Sequence, residues 1–423
     1  MAQIALPPFL KIHLTGEKMS KRNKKKKWMR PRHKLVTEIL RVFLSPYCRL
    51  RYGIKVSRFK EQEKRPYLIL MNHQTPFDQF FVGMAFKGPI YYLATEDIFS
   101  NGWVSSIIRY LVAPIPIKKQ TTDIKAILNC IRVSKEGGTI ALAPEGNRTY
   151  SGRTEYMSPS IVPLAKKLGV PIVLFRIEGG YGVEPRWSDV IRKGKMKGYV
   201  SRVIPPEEYA SMTDDQLYTE IKDGLYVNEA NANDEFRHKR LAEYLERAVY
   251  ICPFCGLSAF ESNRDIIECK SCHRQIRYTK HKELVGVGFD FPFHFVADWY
   301  NYQADYVNAL DVTALTEKPI YLERARALEV IPCEKKNLVA DNAAVSLYGD
   351  RIVLDLQASQ LCFEFDSTSA VTVLGRNKLN IYSDGKIYQL KGDKRFNALK
   401  FVHIYHRYKN IRKGDENNAF LGL

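Results

Sequence analysis

An apolar run at residues 67–71 leads directly into Asn72-His73-Gln74-Thr75-Pro76-Phe77-Asp78, which places an imidazole and a carboxylate a short loop apart. Thr75 suits a helix N-cap and Pro76 the first helical position, so Asp78 falls at N3. From N3 a carboxylate reaches back toward the loop that carries His73. If it holds the Nδ1–H of the ring, Nε2 is left as a general base and the developing imidazolium is stabilised, a relay suited to acyl transfer. The same residues admit a second reading, in which Asp78 merely completes a capping box with Thr75 and His73 is a surface loop residue.

A second constellation follows another apolar run: Ala143-Pro144-Glu145-Gly146-Asn147-Arg148. Pro144 and Gly146 shape a tight loop, and Arg148 offers a planar fork suited to a phosphate. Read plainly, it is a strand-to-loop turn with a solvated arginine. Between the two constellations, Pro114-Ile115-Pro116-Ile117-Lys118-Lys119 sets basic residues at a strand end, where an anionic headgroup can sit. After them, Val170-Pro171-Ile172-Val173 is an apolar strand that core packing alone would explain.

In this order and spacing the four blocks resemble the glycerolipid acyltransferases, particularly the 1-acylglycerol-3-phosphate acyltransferases, over roughly residues 35–225. His73 and Asp78 match the H-x-x-x-x-D block, Lys118 the second block, Glu145, Gly146 and Arg148 the P-E-G-x-R block, and Pro171 the fourth. Two positions depart from the pattern: Asn147 stands where threonine is commoner, and Lys118-Lys119 replaces an arginine-containing block. The resemblance implies that His73 deprotonates a lysophospholipid hydroxyl, which attacks an acyl thioester carried by coenzyme A or acyl carrier protein. Asp78 would orient His73. Arg148 and Lys118 would grip the acceptor phosphate, with Glu145 and Gly146 shaping the loop that holds it. Gln74 after His73 favours a lysophosphatidate acceptor over glycerol 3-phosphate, where arginine is usual.

Cys252-Pro253-Phe254-Cys255 and Cys269-Lys270-Ser271-Cys272 form two C-x-x-C knuckles separated by slightly less than the usual zinc-ribbon spacing. Each aims two thiolates at one point, giving a closed four-sulfur site for a structural zinc. Two disulfides are the alternative, disfavoured because cysteines so close in sequence pair poorly as structural bridges and nothing else suggests secretion. A zinc ribbon in a basic chain also suits nucleic-acid binding. That reading gives His73, Asp78 and the Glu145 loop no role, so no nucleic-acid partner is expected.

The elements that must position these groups follow from texture. Apolar runs at 67–71, 90–93, 112–117, 139–143 and 171–176 read as strands. Residues 123–135 read as a helix with Ile124, Ile127, Leu128 and Ile131 on one face. A capping box at Thr213 and Gln216 opens another helix, and a charged helix is expected over 236–248. Phe295, Trp299, Tyr302 and Tyr306 suit an aromatic helix face. Strands are then expected at 343–348, 352–356, 361–365, 370–374, 378–382 and 387–390, before a closing helix at 396–408. That ending resembles a pleckstrin-homology-like or GRAM-like domain. The expected organisation is a basic segment (1–34), an α/β domain (35–248), a zinc ribbon (249–288) and a β-rich domain closed by one helix (289–423).

With 423 residues, 45% of them apolar, the chain can bury more than one core. No stretch approaches the ~20 apolar residues of a membrane-spanning helix. A net charge of +19 points to polyanionic partners. Its basic segment from Lys21 to Lys34, with Trp28, leads into Leu35, Val36, Ile39, Leu40, Val42 and Phe43, a helical stripe that suits either an anionic membrane surface or an ordinary core. Residues 4–10 are too short an apolar stretch for a cleavable signal peptide. The expected location is cytoplasmic, peripheral on the cytoplasmic face of a membrane.

Overall fold

The computed structural model describes residues 27–61, 65–117, 123–332, 334–357, 359–414 and 421–422. Seven strands form the first sheet: β1 (Ile54–Val56), β2 (Leu68–Met71), β3 (Ile90–Thr95), β4 (Ile115–Ile117), β5 (Thr139–Leu142), β6 (Ile172–Glu178) and β7 (Met196–Ile204). Their order is β1-β7-β6-β2-β5-β3-β4. Strand β2 runs parallel to both β5 and β6, and only the β6–β7 contact is antiparallel. All four residues of β2 are buried because helices cover both sheet faces.

Those helices are α1 (Pro31–Tyr52), α2 (Asp78–Ala85), α3 (Trp103–Leu111), α4 (Ile124–Lys135), α5 (Ile161–Leu168), the short α6 (Gly180–Val183) and α7 (Pro206–Ala210), and α8 (Asp214–Leu225). Ile69 and Met71 pack with Cys48, Tyr52, Phe81 and Val82 of α1 and α2. Leu68 and Leu70 point the other way, onto Cys130, Val162, Leu217 and Ile221. This alternation is the period of two that a strand imposes. The capping box at Thr213 is present in both halves.

Two short strands, β8 (Ile251–Cys252) and β9 (Gly256–Leu257), precede a four-stranded antiparallel sheet of β10 (Phe260–Asn263), β11 (Ile266–Cys269), β12 (Gln275–Tyr278) and β13 (Leu284–Gly286). Helix α9 (Val296–Ala309) leads into a third sheet: β14 (Tyr321–Ile331), β15 (Lys335–Leu347), β16 (Arg351–Asp355), β17 (Gln360–Glu364), β18 (Ala370–Leu374), β19 (Lys378–Ser383) and β20 (Lys386–Gly392). Its order is β17-β16-β15-β14-β20-β19-β18, and α10 (Leu399–Arg412) closes it. The expected α/β layer followed by a β-rich region with one closing helix is therefore the architecture observed.

Two expectations need correction, and one long strand had no expectation at all. Residues 236–248 are not a charged helix but turns with one 3-10 turn at Leu245–Arg247. The backbone of this segment bonds outward, Arg237 to Lys193 and Ala242 to Arg264, while the buried Arg247 donates to Asp189 at 2.7 Å. The strand expected at 112–117 is confined to Ile115–Ile117, because Val112 closes α3 and Ala113 turns the chain at φ 44°. Strand β14 was not anticipated. Its inward positions Ala325 and Ala327 are small, so the alternation carries little apolar contrast.

Candidate active site

Parallel strands β2 and β5 are neighbours, so the loops leaving their carboxyl ends emerge side by side, the usual place for a ligand site in such sheets. Asn72, first after β2, fixes the exit. Its side chain donates to the carbonyl of Ile177 at 2.8 Å and accepts from the amide of Ile177 at 2.7 Å, continuing the β2–β6 ladder by one more rung. His73 follows. Its Nδ1 lies 2.7 Å from Oδ2 of Asp78, whose side chain is fully buried while that of His73 is about a quarter exposed. An ionised carboxylate only accepts, so a neutral ring in this contact donates from Nδ1 and carries its lone pair on Nε2.

Asp78 also accepts from the amide of Gln74 at 2.7 Å, from that of Thr75 at 3.0 Å and from the Thr75 hydroxyl at 2.8 Å. The helix itself starts at Asp78, later than the expected N-cap at Thr75, but the reach-back to the loop is as expected. The carboxylate that knits the turn is also the one that holds the imidazole Nδ1.

The second loop is bound to the first. Glu145 is buried, with one carboxyl oxygen accepting from the amide of His73 at 2.8 Å and the other from that of Glu155 at 2.9 Å. Burial pushes its carboxyl up to about 8, against the pull of the two N–H donors. The Glu145 carboxyl group is thus engaged by backbone at both oxygens and ties its loop to His73. Gly146 turns at φ +69°, which glycine accommodates without strain. The amide of Thr149 donates to the carbonyl of His73 at 3.2 Å, so the arginine-bearing loop lies against the histidine. Arg148 has a buried Nη1 with no acceptor among the described residues, leaving it available to an anion. Lys118 lies outside the described residues, as does the basic run up to Lys26.

Gln74 was singled out in the sequence, but its partners and several other residues of the site had no sequence signal. Gln74 accepts from the amide of Tyr181 at 3.2 Å, and a Cβ at Gly180 would come within 2.5 Å of Gln74 Oε1, so that close approach requires glycine. Arg186 donates to the carbonyl of Arg148 at 2.8 Å. Arg376, from the turn between β18 and β19, pairs with Glu184, which also accepts from Tyr52. Only contacts across the folded chain reveal them.

Away from this pair of loops, Cys252, Cys255, Cys269 and Cys272 converge, with all four Sγ atoms within 4.8 Å of one another. Sγ of Cys252 and Cys272 are 3.9 Å apart. Tetrahedral Zn–S bonds of about 2.3 Å require roughly 3.8 Å between sulfurs, so this donor set fits zinc.

Two helices carry outward-facing apolar residues. Leu35, Ile39, Val42, Phe43, Tyr47 and Leu50 of α1 are exposed, as are Trp103, Ile107 and Tyr110 of α3. The expected face of α4 also points outward at Ile124, Ile127 and Leu128, while Ala126, Cys130 and Val133 pack on the sheet. No helix among the described residues is long and apolar enough to cross a membrane.

Residues 53–178 match the acyltransferase family model. A 1-acyl-sn-glycerol-3-phosphate acyltransferase of Bacillus subtilis is 23% identical over 198 residues, covering 46% of this chain and 92% of that protein. A chloroplastic protein of the same description from Brassica napus is 24% identical over 146 residues, 33% of this chain and 41% of its own length. The crystal structure of the 1-acyl-sn-glycerophosphate acyltransferase PlsC of Thermotoga maritima aligns with a TM-score of 0.39 and 22% identity, covering 47% of this chain and 82% of that one.

Proposed function

Starting from an acyltransferase domain at residues 53–178, we propose that the chain moves a fatty acyl group from an acyl thioester to the free hydroxyl of 1-acylglycerol 3-phosphate, giving phosphatidate. The observation that carries this is the 2.7 Å contact of His73 Nδ1 with a fully buried Asp78, beside a loop whose Arg148 has a buried Nη1 with no acceptor among the described residues. His73 Nε2 takes the hydroxyl proton as the oxygen attacks the thioester carbon. The tetrahedral intermediate then collapses, the C–S bond breaks, and the imidazolium returns its proton to the leaving thiolate. Asp78 stabilises the imidazolium throughout, and Arg148 fixes the acceptor phosphate so that hydroxyl and carbonyl meet at reacting distance. No step involves a metal.

The donor is acyl coenzyme A or acyl carrier protein. Zinc held by Cys252, Cys255, Cys269 and Cys272 would be structural, since four sulfurs close the coordination sphere. The exposed stripes of α1 and α3 support docking on an anionic membrane surface, on its cytoplasmic face, with the basic segment adding attraction of about 1 kcal/mol per cationic side chain. The four-plus-three strand order with its closing helix supports reading the C-terminal region as pleckstrin-homology-like. Mass spectrometry of products from the purified chain, given lysophosphatidate, glycerol 3-phosphate or another lysophospholipid with each donor, tests the assignment. Phosphatidate is the expected product, and acylation of glycerol 3-phosphate alone would replace the acceptor named here.

A further inference from the structure

Three arginines gather on the loop that follows β5, and two of them lie outside the motif. Arg186 is 2% exposed. Its Nη1 donates to the carbonyl of Arg148 at 2.8 Å and its Nε to the carbonyl of Gly375 at 3.2 Å. Nη2 lies 3.4 Å from Asn147 Oδ1, and the guanidinium stacks 4.4 Å over the ring of Tyr150. One side chain therefore straps the backbone of Arg148 to the turn that carries Arg376. Arg376 donates to Glu184, has Nη1 3.6 Å from Asp189, and has a buried Nε with no acceptor among the described residues.

The charge is compensated mostly at a distance: Glu184 and Asp78 face Arg148 and Glu155 faces Arg186 without forming ion pairs to them, while Arg376 alone is paired, with Glu184 and Asp189. No carboxylate forms an ion pair with Arg148 or Arg186 among the described residues, and Arg148 Nη1 and Arg376 Nε are both buried without acceptors. Burial, followed by the nearby Arg186 and Arg376, pushes the Arg148 guanidinium down to about 10. Buried donors and crowded like charges are costly unless an anion meets them. A phosphate monoester, with oxygens for several planar forks, has the matching geometry.

We infer that Arg148 and Arg376, strapped together by Arg186, form one site for the acceptor's phosphate, so that the β18–β19 turn of the C-terminal sheet takes part in acceptor recognition. The phosphate's identity as a lysophosphatidate headgroup rests on the acyl-transfer reading, while the anion site itself rests on the arginine geometry. Arg186 acts here as a positioning residue.

The test uses the full chain and Arg376→Gln, with Arg376→Lys retaining the charge near Glu184. KM is measured for 1-acylglycerol 3-phosphate and for an uncharged monoacylglycerol, alongside calorimetric binding of glycerol 3-phosphate and of inorganic phosphate. Arg376→Gln should raise KM for the phosphate-bearing acceptor by about ten-fold, leave the neutral acceptor within about two-fold, and weaken glycerol 3-phosphate binding, with Arg376→Lys partly restoring both. Equal losses on the two acceptors, or an unchanged KM in a folded variant, would overturn the inference. So would a variant effect on inorganic phosphate alone, which would assign the site to free phosphate. If the wild-type chain binds glycerol 3-phosphate through Arg376 yet acylates nothing, the acyl-transfer reading fails and the anion site stands.

Discussion

Asp78 accepts from a ring nitrogen, two amides and a hydroxyl, so its carboxylate cannot be replaced by an amide without turning a donor toward donors. Asp78→Asn should therefore lower kcat by about 10²–10⁴ and cost about 1–3 kcal/mol of stability. Steady-state kinetics and thermal melts would read both, and an undiminished kcat would contradict the relay. Glu145 gives a pH signature. Burial pushes its carboxyl from 4.5 up to about 8, so the native chain holds this proton more tightly than the unfolded chain. Its stabilising contribution is full below the unfolded pKa of 4.5 and is lost as pH rises through the folded value. The melting temperature should include a downward component across that window, and Glu145→Gln should flatten it; an identical slope in both proteins would reverse the assignment. His73, Asp78, Glu145 and Arg148 were legible because each pattern is local. Arg186 and Arg376 were not, since they join the site only through contacts between distant segments.

At the scale of elements, most helices and strands announced themselves by periodicity, but periodicity does not say which side faces water. The stripes of α1 and α4 were visible in the sequence, yet only the fold turns Leu35, Phe43, Leu50, Ile124 and Leu128 outward. Strand β14 stayed hidden behind inward alanines, and the segment at 236–248 looked helical while its backbone bonds elsewhere. The outward stripe of α1 makes a prediction. Phe43→Glu with Leu50→Glu should sharply reduce sedimentation with anionic vesicles while leaving the melting temperature within about two degrees, because these side chains bury little in the fold. Undiminished sedimentation would move the docking surface away from α1.

Across the whole molecule, one hydrophobic cluster joins Tyr150, Tyr181 and Trp187 beside the site to Cys252 and Cys269, and on to Trp299, Val345 and Leu399. The order of the regions was readable from composition, cysteine spacing and turn residues. Their fusion into a shared core was not, because it depends on packing between segments far apart in sequence. On the proposed structural role for zinc at the four-cysteine cluster, removing the metal should lower the melting temperature, and acyl transfer with it. A purified chain that carries no zinc, and whose melting is indifferent to a chelator, would refute the four-sulfur site. The central claim is that His73 is the base of an acyl transfer, and the most direct measurement is turnover of lysophosphatidate to phosphatidate by wild-type and His73→Ala protein of equal thermal stability. The account predicts phosphatidate from the wild type and a loss of about 10²–10⁴ in kcat for the variant; near-normal turnover by the folded His73→Ala protein would contradict it.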